Sequence, residues 1–167
     1  RETKGKQKGN QLENQLESKL ENQSENKFPD FEPSFSSIME TCKPFTMTSE
    51  ERLYSFNKAV EYIVKNNIEG DIVECGVWKG GSSMCAMLSL LQLNAANRNF
   101  FLYDTFEGMS EPSDMDADLL GVDAKNLLSQ SEKTTEDVMW CYAPIDDVKN
   151  NIAKTQYPSN LINYVKF

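Results

Sequence analysis

The clearest hydrophobic pattern in the chain lies in "TMTSEERLYSFNKAVEYIVKNN". Leu53, Phe56, Val60, Ile63 and Val64 recur at helical spacing and predict one apolar helix face. Thr48, with Glu51 three residues later, reads as a capping box. Glu50 and Glu51 complement the helix dipole at that end, and the helix ends near Asn67, with Gly70 just beyond. Asp71–Val77 then reads as a buried strand, and "SSMCAMLSLLQLN" as an apolar helix starting near Ser82. "NFFLYDTFEG" is a second strand that stops at Asp104, followed by an acidic loop and a short helix around Asp123–Ser129. "PIDDVKNNIAKT" places Pro144 at a helix start, and "NLINYVKF" is a third strand. Strands alternating with helices predict a parallel α/β sheet.

The N-terminal segments lack such patterns. Residues 9–26, "GNQLENQLESKLENQSEN", are a degenerate repeat with leucines at 12, 16 and 20. Three leucines bury too little to offset ordering entropy, so residues 1–27 are expected to be a disordered low-complexity tail; a short oligomerising helix, and hence a homo-oligomer, is the alternative. Residues 28–46 hold Pro29, Pro33 and Pro44 among phenylalanines and are expected to be irregular while lying against the domain that starts at residue 47.

Charge narrows the partners. The tail is near neutral, whereas residues 28–167 carry 11 Lys/Arg against 21 Asp/Glu. So acidic a surface argues against nucleic acid and against anionic membrane surfaces as partners. There is no histidine and no CxxC pair among Cys42, Cys75, Cys85 and Cys141, which excludes a Ser-His or Cys-His nucleophile in this chain and disfavours structural zinc. Cys75 and Cys85 sit in apolar patterns and read as buried free thiols, which suits a reducing compartment and a cytoplasmic location. No apolar run approaches the ~18 residues of a membrane span. The first residue is Arg1, as expected of a processed product or an excerpt.

The stretch "DIVECGVWKGGSS" carries the candidate chemistry. Gly76 and Gly81 have P-loop separation, but Ser82 stands where that loop needs lysine. Trp78 occupies the second glycine position of a dinucleotide fingerprint, where an indole blocks a pyrophosphate. The remaining pattern is Glu74, Gly76 and Gly80 at an acidic-x-Gly-x-x-x-Gly spacing. Gly76 permits close approach at the strand end, and Gly80–Gly81 allow a tight entry to the next helix. Glu74 offers negative charge to an ammonium or sulfonium group, and Asp104, 28 residues after Gly76, can accept two ribose hydroxyls. Both acids fall at the carboxyl ends of strands, where open α/β sheets bind ligands. A nucleoside bearing an amino acid and no phosphate fits: S-adenosylmethionine. A strand–Gly–helix turn made for packing alone has the same spacing.

Four blocks, "MTSEERLYSFNKAVEYIV", "DIVECGVWKGGSS", "LYDTFEGMSEPSDMDAD" and "VMWCYAPIDDVKNNI…YP…INYVK", together resemble the macrocin O-methyltransferase family over about residues 45–167. The resemblance implies a class I methyltransferase (Rossmann-like) fold with a mostly parallel sheet, of which this chain covers about the first three strands. It implies an S-adenosylmethionine-dependent enzyme that methylates sugar hydroxyls of a small molecule or glycan. Glu74, Cys75, Gly76, Val77, Trp78, Gly80, Gly81 and Ser82 match the loop beneath the methionine part of the cofactor. Asp104 matches the ribose-binding acid, Thr105, Phe106, Glu107 and Gly108 continue around the adenosine, and Met47 and Thr48 match a segment near that pocket. The family's magnesium-binding aspartates and catalytic base are expected beyond Phe167, a position where the family often has glycine. This chain is then the cofactor half, inactive alone, and its first strand, which a fourth normally pairs, leaves Ile72 and Val73 without full cover. The alternative is a non-catalytic nucleoside-binding module or a degenerate methyltransferase fragment.

Other residues read more plainly. Asp114, Asp116 and Asp118 mimic a calcium loop, but Leu119 and Lys125 replace its glycine and glutamate; a solvated acidic loop near the site is expected. Trp78, Trp140 and Tyr142 are expected to pack in the core.

Overall fold

The computed structural model describes residues 31–167; the expectations for the repeat at 9–26 and the boundary at 27 lie outside the described residues. A compact unit runs from Pro33 to Phe167. In chain order it contains α1 (Pro33–Cys42), a 3-10 turn (Lys43–Phe45), α2 (Glu50–Lys65), β1 (Ile72–Cys75), α3 (Gly81–Gln92), β2 (Phe100–Asp104), α4 (Ala124–Leu128), α5 (Ile145–Ala153), a second 3-10 turn (Ser159–Leu161) and β3 (Ile162–Lys166).

The strands form a parallel sheet in the order β1-β2-β3, with Ile72 level with Phe100 and Phe100 level with Ile162. Both connections advance across the sheet in the same direction, and right-handed crossovers then place α3 and α5 on one face. Burial agrees. Phe100 and Leu102 point into that face and are fully buried with Met84, Met87 and Leu90 of α3 and Val148 and Ile152 of α5. The opposite face is barer: Val73 is 60% exposed and Cys75 is exposed. The sequence reading of Cys75 as a buried thiol is therefore wrong, because β1 has a neighbour on one side only and its odd-numbered side chains face the uncovered side. The expected lack of cover at Val73 is present. Cys85 is buried, as expected, and so is Cys42; their thiols meet between α1 and α3, and this contact together with burial holds Cys42 far above the usual thiol range.

The segment expected to be irregular contains α1, which is a correction. Pro33 occupies the first helical position, where its missing N–H costs nothing. Phe35, Ile38 and Cys42 recur at helical spacing and are buried, and the Phe35 ring meets the Tyr54 ring edge-on at 5.2 Å. Pro44 falls in the 3-10 turn just past the helix, so the prolines mark its ends rather than forbid it.

The cap of α2 also shifts by one residue. Ser49, not Thr48, is the N-cap, its Oγ accepting the Arg52 N–H at 3.4 Å. Thr46 Oγ1 accepts the Thr48 N–H at 3.0 Å, which keeps Thr48 in the preceding turn. The buried stripe of α2 is Leu53, Asn57 and Val60. Asn57 lies against α3 and donates to Ser89 Oγ at 2.8 Å, while Phe56 is turned towards the free edge of β1 and is 36% exposed.

Candidate cofactor site

The two strand-end acids are employed first by the protein's own backbone. β1 ends at Cys75, and the chain turns through Gly76 (φ 82°) and Trp78 (φ 48°) to Gly80 (φ 90°), which precedes α3. Asp104, the last residue of β2, holds this turn. Its Oδ2 accepts the N–H of Val77 at 2.6 Å and of Trp78 at 3.1 Å, and its Oδ1 accepts the N–H of Phe106 at 2.8 Å. One carboxylate therefore pins the loop after β1 to the loop after β2. Glycine at 80 leaves α3 without a side-chain cap, and Glu74 takes over that task from the strand. Its carboxylate accepts the Ser83 hydroxyl, and Ser82 and Ser83 of the first turn both act to lower its pKa. Burial raises the Glu74 carboxyl above the usual carboxylate value, against the lowering effect of these serines and with a smaller contribution from the negative charge of Asp104.

Two hollows open on either side of Cys75–Gly76. One, about 370 Å³, follows the free edge of β1 and is bordered by Thr48, Arg52, Glu74, Cys75, Ser82 and Ser83, with Phe56 and Val73 along its apolar part. The other, about 280 Å³, lies over the carboxyl ends of β1 and β2 and is bordered by Gly76, Trp78, Asp104, Thr105, Gly108, Met109, Cys141 and Phe167. The structure thus brings nine of the residues singled out from sequence to these two hollows: Thr48, Glu74, Cys75 and Ser82 to the first, and Gly76, Trp78, Asp104, Thr105 and Gly108 to the second.

The other six border neither. Met47 is 56% exposed. Val77 and Phe106 are buried, and their backbone N–H groups serve Asp104. Gly80 abuts Ile152. At Gly81 a Cβ would lie 2.5 Å from the Phe45 carbonyl oxygen, so this glycine is needed for helix packing, not for a ligand. Glu107 is exposed and pairs with Lys166. Arg52, Ser83, Met109 and Cys141 border the hollows without having been found from sequence; only Arg52 carried a signal, as a basic residue in the first turn of the predicted helix.

The acidic loop does not assemble a cation site. Asp116 accepts the Ser113 backbone and hydroxyl, Asp118 accepts the N–H groups of Leu120 and Val122, and Asp114 pairs with Lys125. Among the described residues no group of three His, Cys, Asp or Glu could hold a metal ion. Trp140 is buried and Tyr142 half-buried, whereas Trp78 is a half-buried wall of the second hollow. The indole N–H of Trp78 is buried and has no hydrogen-bond partner among the described residues.

Comparison with known proteins decides the family. The sequence model of the macrocin-O-methyltransferases matches residues 7–154. The chain belongs to the macrocin-O-methyltransferase family. The match starts well before residue 45, from which the resemblance was read, and takes in the whole of α1. Relatives include the 8-demethyl-8-(2,3-dimethoxy-alpha-L-rhamnosyl)-tetracenomycin-C 4'-O-methyltransferase of Streptomyces olivaceus, 38% identical over 66 residues, which are 40% of this chain and 25% of that one. The demethyldecarbamoylnovobiocin O-methyltransferase of Streptomyces niveus is 33% identical over the same shares of each chain. The mycinamicin III 3''-O-methyltransferase of Micromonospora griseorubida is 31% identical over 42% of this chain and 28% of that one. The solved structure of the O-methyltransferase NovP superposes with a TM-score of 0.54 at 22% identity, over 73% of this chain and 47% of that one, which establishes the methyltransferase-type Rossmann-like fold. The chain therefore spans about a quarter of the length of the curated relatives it matches and about half of the solved structure. Among the described residues no helix is long and apolar enough to cross a membrane.

Proposed function

We propose that the whole protein transfers a methyl group from S-adenosylmethionine to a hydroxyl of a small molecule or glycan, a sugar hydroxyl in the first instance, and that residues 47–167 belong to its cofactor-binding part. The observation that carries this reading is the family match over residues 7–154, a span that includes both strand-end acids. The cofactor supplies a methyl group on a sulfonium, already an excellent leaving group. This chain's residues are left with binding and alignment.

The residues present fit such a ligand. The hollow at Asp104 offers the wall of Trp78 and Met109 and the open side of Gly76, where a Cβ would meet nothing within 4 Å. These suit a nucleoside. The hollow at Glu74 is bordered by Thr48, Arg52, Ser82 and Ser83 as well as by apolar side chains, and suits the amino-acid part. Asp104 accepts three backbone N–H groups and, more weakly, the Thr105 hydroxyl at 3.4 Å, which together use its roughly four acceptor positions, so its chief effect on a ribose is to set the loops around it. No described residue cluster fits magnesium, and no step through a metal is derived from this chain. Oxygen-linked methyl transfer also needs loss of the hydroxyl proton, and no residue bordering either hollow is assigned that task.

The test uses the full-length protein, S-adenosylmethionine and a panel of glycosylated acceptors, with S-adenosylhomocysteine release as the readout. Release that depends on the acceptor is the expected result. Nucleoside binding without turnover over the whole panel supports a binding module instead, and absence of both overturns the cofactor assignment.

A further inference from the structure

Of the eleven Lys and Arg residues in the described part of the chain, ten have a partner. Lys43, Lys58, Lys65, Lys125, Lys149 and Lys166 pair with carboxylates. Lys79, Lys133 and Lys154 lie over aromatic rings, and Arg98 donates to the Gly70 and Ile68 carbonyls. Arg52 alone makes no side-chain hydrogen bond or ion pair with a described residue, although acidic residues outnumber basic ones in the chain. Its backbone N–H is committed to Ser49, so the first turn of α2 is fixed while the guanidinium stays free at the border of the β1-edge hollow.

We propose that Arg52 binds the carboxylate of the amino-acid end of the ligand in the hollow beside β1. This rests on the cofactor reading above and assigns a part of that site which neither the motif nor the family match singles out. An α-amino acid is a zwitterion and is recognised by one anion and one cation. Glu74 and Arg52 both border this hollow and are not paired with each other, so the two charges remain available to a ligand between them. The Ser83 hydroxyl occupies one part of the Glu74 acceptor capacity and leaves the rest for an ammonium. A guanidinium presents a planar fork matched to a carboxylate. Arg52 lies in the first turn of α2, and Thr48, in the turn just before that helix, borders the same hollow.

The experiment compares two nucleosides on the full-length protein by calorimetry: S-adenosylhomocysteine, which carries the amino-acid end, and 5'-methylthioadenosine, which lacks it. Arg52→Gln is expected to weaken S-adenosylhomocysteine by about 10- to 100-fold, the scale of a lost charge-assisted bond, and to leave methylthioadenosine within about twofold. Arg52→Lys is expected to recover part of the loss, because it keeps the charge without the fork. Both variants are expected to melt with the parent, since the side chain holds no structural contact. An unchanged S-adenosylhomocysteine affinity, or an equal loss for both nucleosides, overturns the assignment of Arg52 alone. A parent protein that binds neither nucleoside overturns the cofactor reading together with it.

Discussion

Replacing Asp104 by alanine is expected to destabilise the fold as well as the site. The sequence suggests otherwise: a ribose-binding acid facing a cleft would cost little stability. In the structure its carboxylate accepts three backbone N–H groups from two loops. Two of the donors, those of Trp78 and Phe106, belong to residues held at positive φ, 48° and 54°, a conformation that costs on the order of 1 kcal/mol or more per residue. An unsatisfied buried donor costs about 1–3 kcal/mol. Because a hollow adjoins Asp104 and admits water, part of that cost is recovered, and the net loss is set at about 2–4 kcal/mol. For a unit of this size that corresponds to a fall in Tm of about 8–15 °C. Asp104→Asn is expected to lose nearly as much, since its amide places a donor against one set of backbone donors. Thermal melts by circular dichroism check this, with nucleoside binding measured well below the lowered Tm. An alanine variant that melts within about 2 °C of the parent would refute the view that this carboxylate pins the loops. If the expected loss is seen, weaker nucleoside binding by the variant cannot be read as a missing ribose contact alone.

Three further outcomes follow from the same geometry. Burial holds the Glu74 carboxyl above its ordinary value of about 4.5, so the folded state retains this proton longer than the unfolded chain; the stability associated with it is present below that value and is lost as pH rises through the raised one. Glu74→Gln is expected to flatten this part of the stability–pH curve, read from urea midpoints across the acid range, and an unchanged slope counts against it. Gly81→Ala drives a Cβ to 2.5 Å from the Phe45 carbonyl oxygen and is expected to cost about 1–3 kcal/mol by overpacking; an unshifted urea midpoint would show that the 3-10 turn yields freely. Val73, 60% exposed beside the free edge of β1, is expected to promote self-association of a residue 33–167 fragment, and Val73→Lys to reduce it in sedimentation; a parent fragment that stays monomeric refutes this.

The order of strands and helices was legible because each has a distinct period. The helix α2, the apolar run of α3 and the strand ending at Asp104 all appear where the pattern puts them, although within α2 the buried stripe takes Asn57 in place of the expected Phe56. Less legible was α1, since three prolines obscured the spacing of Phe35, Ile38 and Cys42; whether a proline ends a helix or begins one depends on its position, and composition does not record that. The burial of Cys75 was misread for another reason. An apolar strand looks the same whether both of its faces are covered or one, and only the direction in which the crossovers advance decides between them.

The strand-end acids show a deeper limit. Their positions were readable, but not what their oxygens face. Glu74 holds the first turn of α3 through the Ser83 hydroxyl and Asp104 holds the turn between β1 and α3, because Gly80, which allows the tight entry, cannot cap the helix it introduces. The spacing acidic-x-Gly-x-x-x-Gly therefore records a backbone requirement before a ligand requirement, and the packing turn and the cofactor loop, which look like rival readings in sequence, are one structure. Arg52 has no such structural occupation. A change there leaves the loops intact, so it isolates ligand chemistry in a way that neither acid can.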